Sequence, residues 1–171
     1  MKWNWDADPI YESARVRIDK THSPLVVYSY KLPRQITDEE IQLMLSLGDL
    51  YIEGGLPCIA LVELKRGSGI IAARQRRMFA DWLESRREQL DRDDCSTVVL
   101  VPEAIYRAVL RVVYRFRTPP IRTITSADAP GAAAAVRTEL ERMGQPITPE
   151  IEALLRRLAR PTSRTPAPTS A

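Results

Sequence analysis

Two short, continuously apolar runs flank one long amphipathic segment, and this pattern constrains the chain more than any other. Cys58-Ile59-Ala60-Leu61-Val62-Glu63-Leu64 breaks at Lys65-Arg66-Gly67-Ser68-Gly69, and a helical pattern over about Ala72–Leu90 then places Met78, Phe79, Trp82 and Leu83 on one face and arginines on the other. Val98-Val99-Leu100-Val101 follows. Strand, glycine loop, crossover helix and strand make a βαβ unit, which calls for parallel central strands (Cys58–Leu64 beside Thr97–Val101) covered by helices. In this reading Trp82 is a core residue against the sheet. The loop after such a strand is where open α/β sheets present their working surface.

Composition sets the outer limits. A chain of 171 residues with 44% apolar and 27% charged residues is the size of one domain with a real core. No apolar run approaches the ~20 residues that span a bilayer, and Met1-Lys2-Trp3-Asn4-Trp5-Asp6 is no apolar leader, so a cytoplasmic address is expected and a membrane is not. The net charge of +3 is carried almost wholly by arginine, with lysine only at Lys2, Lys20, Lys31 and Lys65. That excess, without a clustered basic face, disfavours nucleic acid as a partner. Cys58 and Cys95 lack CxxC or Cys/His spacing and read as small buried hydrophobes.

Along the chain, Arg15–Asp19 and Leu25–Tyr30 read as a hairpin across the turn cluster Thr21-His22-Ser23-Pro24. Thr37-Asp38-Glu39-Glu40 is a capping box that opens a helix ending at Gly54-Gly55. After the βαβ unit, Pro102 starts a helix with Ile105, Val109, Val112, Val113 and Phe116 on its apolar face. Ile121–Thr125 alternates like an edge strand, Ser126 caps an alanine-rich helix ending near Met143-Gly144, and Thr148-Pro149-Glu150 opens a final amphipathic helix. One α/β domain over 1–160 is expected, followed by a disordered Pro/Thr/Ser/Ala tail over 161–171.

With this order of elements, several segments resemble the STAS-like, SpoIIAA-like superfamily of bacterial regulatory or scaffolding domains. They are the capped acidic helix after Lys31-Leu32-Pro33, the helix Arg-Gln-Arg-Arg-Met-Phe-Ala-Asp-Trp-Leu, the segment Val-Pro-Glu-Ala-Ile-Tyr-Arg-Ala-Val-Leu and the ending Ile-Arg-Thr-Ile-Thr-Ser-Ala-Asp-Ala. The resemblance runs from about Arg15 to Met143. It implies a mixed sheet of four to five strands with helices packed mainly on one face, here with an extra C-terminal helix, and regulation by protein–protein contact. Its phosphoregulated members carry Ser or Thr in an Asp-Ser-Ser-Gly-like loop after the central strand. Here Ser68 stands at that place, with Lys65 and Arg66 where the acidic context would be.

The candidate partner-binding residues are Lys65, Arg66, Ser68, Arg74 and Arg77, around the loop after the central strand. Ser68 reads as a phosphate acceptor near a helix N-terminus or as a turn serine shaping the loop. Gly67-Ser68-Gly69 is no P-loop, since no Gly-Lys-Ser/Thr follows. Arg107, Arg111 and Arg115 recur every four residues as a second candidate surface or a solvated helix face. Trp3 and Trp5 either pack back on the domain or anchor an interface. A catalytic reading would need Glu63 and the single histidine, His22, to converge. Expected, then, is a non-enzymatic cytoplasmic regulator or adaptor without metal or cofactor, bound to another protein through an acidic or anionic surface, with homo-oligomerisation open. The alternative is a binding module for a small anionic or apolar ligand at the same loop.

Overall fold

The computed structural model describes residues 10–30, 36–64, 72–92, 95–116 and 121–159. Among these residues, six strands form one sheet in sequential order: β1 (Tyr11–Glu12), β2 (Val16–His22), β3 (Leu25–Tyr30), β4 (Cys58–Glu63), β5 (Cys95–Leu100) and β6 (Arg122–Ser126). The first three are antiparallel, the hairpin β2–β3 carrying an irregularity between Asp19 and His22, and β3 to β6 are parallel. As expected, β4 and β5 are adjacent, parallel and away from either edge, while β6 is an edge strand. The sixth strand is the short β1, which the Trp/Asp/Pro-rich start of the chain did not announce.

The helices among the described residues are α1 (Asp38–Glu53), α2 (Ala73–Ser85), α3 (Arg87–Arg92), α4 (Ala104–Phe116), α5 (Ala129–Arg142) and α6 (Pro149–Ala159). They cover both faces of the sheet, where helices mainly on one face were expected. Side chains alternate along a strand, so Val26, Tyr28 and Tyr30 meet Ile41, Met44, Leu47 and Tyr51 of α1. Leu25, Val27, Ile59, Leu61 and Val98 instead meet Ala132, Val136 and Leu140 of α5 and Ile151 and Leu155 of α6. The final two helices have nowhere else to bury their stripes, and the second face of a central parallel sheet needs a cover.

Local signals set most boundaries. Thr37 Oγ1 accepts from the Glu40 N–H at 3.2 Å while the Glu40 carboxylate accepts from the Thr37 N–H at 2.9 Å, the reciprocal box that the sequence predicts. The other end of α1 is a Schellman motif: Leu56 N–H donates to Tyr51 O, Gly55 N–H to Ile52 O, and Gly55 sits at φ +57°. The expected helix over Ala72–Leu90 is two helices that part at Arg86. Asp128, not Ser126, caps α5: its Oδ1 accepts from the Gly131 N–H at 2.7 Å, and Ser126 is the last residue of β6. Helix α4 begins at Ala104 rather than at Pro102.

Candidate functional site

Strands β3 to β6 all end at one rim of the sheet, and α1, α2, α4 and α5 all start from it. Of the expected partner-binding residues, Lys65, Arg66 and Ser68 lie outside the described residues, as do Trp3, Trp5, Arg160 and the tail over 161–171. Arg74 and Arg77 are present at the start of α2, both exposed.

The junction of the α1 and α2 N-termini is built around Asp38. Gln75, buried among its exposed neighbours, donates to Ile36 O at 2.7 Å and to Asp38 Oδ1 at 3.1 Å, and its own Oε1 accepts from the Ala72 N–H at 3.2 Å. Arg74 pairs with Asp38 Oδ2 at 3.1 Å while 81% exposed. That arginine's charge is therefore partly answered within the chain, whereas Arg77 has no ion pair among the described residues. The sequence marked Asp38 only as part of a capping segment, and Gln75 carried no signal beyond being a polar residue within an arginine-rich turn.

Arg107 departs from the expected stripe. Its Nη1 donates to Val101 O and Pro102 O, each at 2.7 Å, so it satisfies the carbonyls where β5 leaves the sheet. Arg111 is exposed on the same helix, and the side chain of Arg115 lies outside the described residues. Ile105, expected on the inward face of α4, is 70% exposed. Ala104 and Ala108 are exposed beside it. At helical spacing these residues form one apolar strip leading to Arg111. The helix is rotated from the expected phase at its start, since Tyr106, Arg107 and Leu110 are half-buried there while Ile105 is exposed.

Behind the rim, Ser29, Glu63, Leu100 and Ser126 are register neighbours across β3 to β6. Alternation places this row on the face that α5 covers, and Ser29 Oγ donates to Glu63 Oε2 at 2.6 Å. The structure does not bring Glu63 and His22 together. His22 pairs with Leu25 beside the start of β3, while Glu63 pairs with Ser29 near its end, roughly 13 Å further along at strand rise. The only catalytic pairing drawn from the sequence is thus excluded. Among the described residues, no group of three or more His, Cys, Asp or Glu side chains could hold a metal ion. No described helix is long and apolar enough to cross a membrane.

No protein-family model matches the chain, and no curated protein matches it. Among solved structures it is similar to an anti-sigma-factor antagonist (STAS) domain protein from Planctomyces limnophilus, at 16% identity and a TM-score of 0.43, covering 71% of this chain and 97% of that one. At that similarity neither family membership nor activity transfers to this chain.

Proposed function

We propose that the chain is a non-enzymatic regulatory or adaptor protein that binds another protein at the rim where the parallel strands end. The observation that carries this reading is the exposed apolar strip Ala104, Ile105 and Ala108, on the rim from which α2 presents Arg74 and Arg77. A large aliphatic group left in water at a helical position, with arginines nearby, has the chemistry of an interface anchor within a polar surround. Arg77 and Arg111 favour a partner whose facing surface is acidic around an apolar contact, and steering by them makes capture salt-sensitive. The fixed groups of the rim fit the same reading, because Arg107, Asp38 and Asp128 are spent on the chain's own backbone and neighbours.

Affinity capture from native lysate tests this with two variants, Ile105→Asp and Arg77→Glu. The wild type is expected to retain a discrete protein, and each variant to lose most of it while keeping its melting temperature. Capture unaffected by both changes would move the working surface elsewhere. A small-ligand reading rests on the polar row Ser29–Glu63, where a carboxylate favours a cationic or hydrogen-bond-donating ligand over an anionic one. A ligand held there would be lost on Glu63→Gln and indifferent to Ile105→Asp.

A further inference from the structure

The two edges of the sheet are built differently. At one edge β1 is only two residues long, too short to template another strand. At the other, β6 spans five residues, Arg122 to Ser126, and among the described residues no strand pairs with its outer side. The usual guards of an edge are missing from it: it holds no proline, no lysine and no shift of register. Its one charge, Arg122, is bonded to Glu139 of α5. The ladder fixes which backbone groups point outward. Val101 N–H donates to Ser126 O, so Arg122, Ile124 and Ser126 turn their amide groups towards β5. Thr123 and Thr125 therefore turn their N–H and C=O groups away from the sheet.

We propose that β6 pairs antiparallel with β6 of a second copy of this chain, about a twofold axis at Ile124. Antiparallel strands alternate bonded and non-bonded residue pairs. With the axis at Ile124, Thr123 faces Thr125 of the second copy and Thr125 faces its Thr123, and each pair exchanges both backbone bonds. Every outward group of the strand is then satisfied. Ile124 meets its own symmetry mate as the non-bonded pair, with Cα atoms ~4.5 Å apart. A second copy is the occupant because the strand is its own complement in this register, which alone engages all of its residues. The side chains agree: threonine pairs across strands are favourable, and Arg122 stands opposite Ser126, so like charges do not meet. The helices leave room. Helix α5 packs over β4, β5 and β6, so its symmetry mate stands about three strand spacings away, ~14 Å, beyond the 8–10 Å typical of packed helices. So short a strand supplies little area, and the dimer is concentration-dependent rather than obligate.

Sedimentation velocity of the full-length chain, over a concentration series reaching ~1 mM, should show monomer passing to dimer. Thr125→Pro deletes one outward N–H, a loss that an edge strand tolerates. It should raise the dissociation constant at least tenfold while the circular dichroism stays native. Register is read by cysteine trapping with diamide as the oxidant. Ile124→Cys should form a disulfide-linked dimer at least tenfold faster than Thr123→Cys, whose symmetry mate is only a diagonal neighbour at ~7–8 Å. If Thr125→Pro fails to fold, the trapping rates decide. The proposal is overturned if the wild type stays monomeric throughout, if folded Thr125→Pro dimerises as the wild type does, or if Thr123→Cys is trapped as fast as Ile124→Cys.

Discussion

On the face covered by α5 and α6, the cluster formed by Leu25, Ile59, Leu61, Val98, Leu140, Ile151 and Leu155 is sealed, whereas on the face covered by α1 and α2 the second helix is held by polar bonds. Leu140 and Leu155 have no exposed surface. Met78, Phe79 and Trp82 of α2 are only half-buried. What fixes α2 is a series of specific bonds to α1: Gln75 and Arg74 to Asp38, and Trp82 Nε1 and Arg86 Nε to Asp49 Oδ1, each of the last two at 2.9 Å. Glu40 does similar work for the antiparallel edge. It is almost fully buried, accepts from Ser13 Oγ at 2.6 Å, and lies 3.8 Å from Arg15. The sealed face stabilises by area removed from water, which tolerates no loss of volume. On the other face α1 buries Ile41 and Leu47 just as fully, so it is α2 that is held through directed contacts and keeps more surface in water, next to the rim assigned to partner binding.

The largest test of this contrast is Leu140→Ala, which should cost about 3–5 kcal/mol in chemical denaturation, since it opens a cavity in the sealed layer. Trp82→Ala should cost less, about 2–3 kcal/mol, because the ring is half in solvent; an equal or greater loss would mean that α2 belongs to the core after all. Gly48→Ala probes the same contact from the other side. An added Cβ would stand 2.6 Å from Trp82 Cζ2. Overpacking of about 1–3 kcal/mol should therefore outweigh the ~1 kcal/mol that alanine gains over glycine in a helix. A more stable Gly48→Ala protein would show the helices free to part.

Glu139 offers a pH test within the sealed face. Burial alone would raise its carboxyl, but hydrogen bonds from Arg122 and Arg142, each at 2.9 Å, outweigh it and hold the value below the usual range. A carboxyl lowered in the folded state contributes fully above its unfolded value, near 4.3, and loses that contribution as the pH falls through the folded value. The wild type should therefore lose more stability between pH 5 and acid conditions than Glu139→Gln does. Parallel pH profiles for the two proteins would remove Glu139 from the account. The smallest expected effect is Arg77→Glu, which should leave the melting temperature unchanged because the exposed guanidinium supports no fold contact among the described residues.

The elements with strong local signals were legible in advance. Periodicity marks β4, β5 and the helical stretch between them, though not its division at Arg86. The Thr37–Glu40 box and the Gly54-Gly55 stop bounded α1 to within a residue. Long-range choices were not legible. The partition of helices between two faces depends on where α5 and α6 find uncovered strand surface, and no local pattern records that. The phase of α4 was misread at Ile105 because a 3.6-residue repeat shows which residues share a face, not how far that face turns from the sheet. Arg107 looked like a surface charge since nothing in a four-residue spacing announces a bond to backbone carbonyls. The adjacency of Cys58 and Cys95 is a matter of strand register, set by the whole sheet.

The most direct measurement is site-specific photo-crosslinking in native lysate, with the reactive side chain placed in turn at positions 77, 105 and 156. Positions 77 and 105 lie on the rim, while Arg156, 72% exposed, lies on α6. The same crosslinked protein is expected from 77 and 105, and none from 156. A shared product from 156, or none from either rim position, would contradict the assignment of the rim as the binding surface.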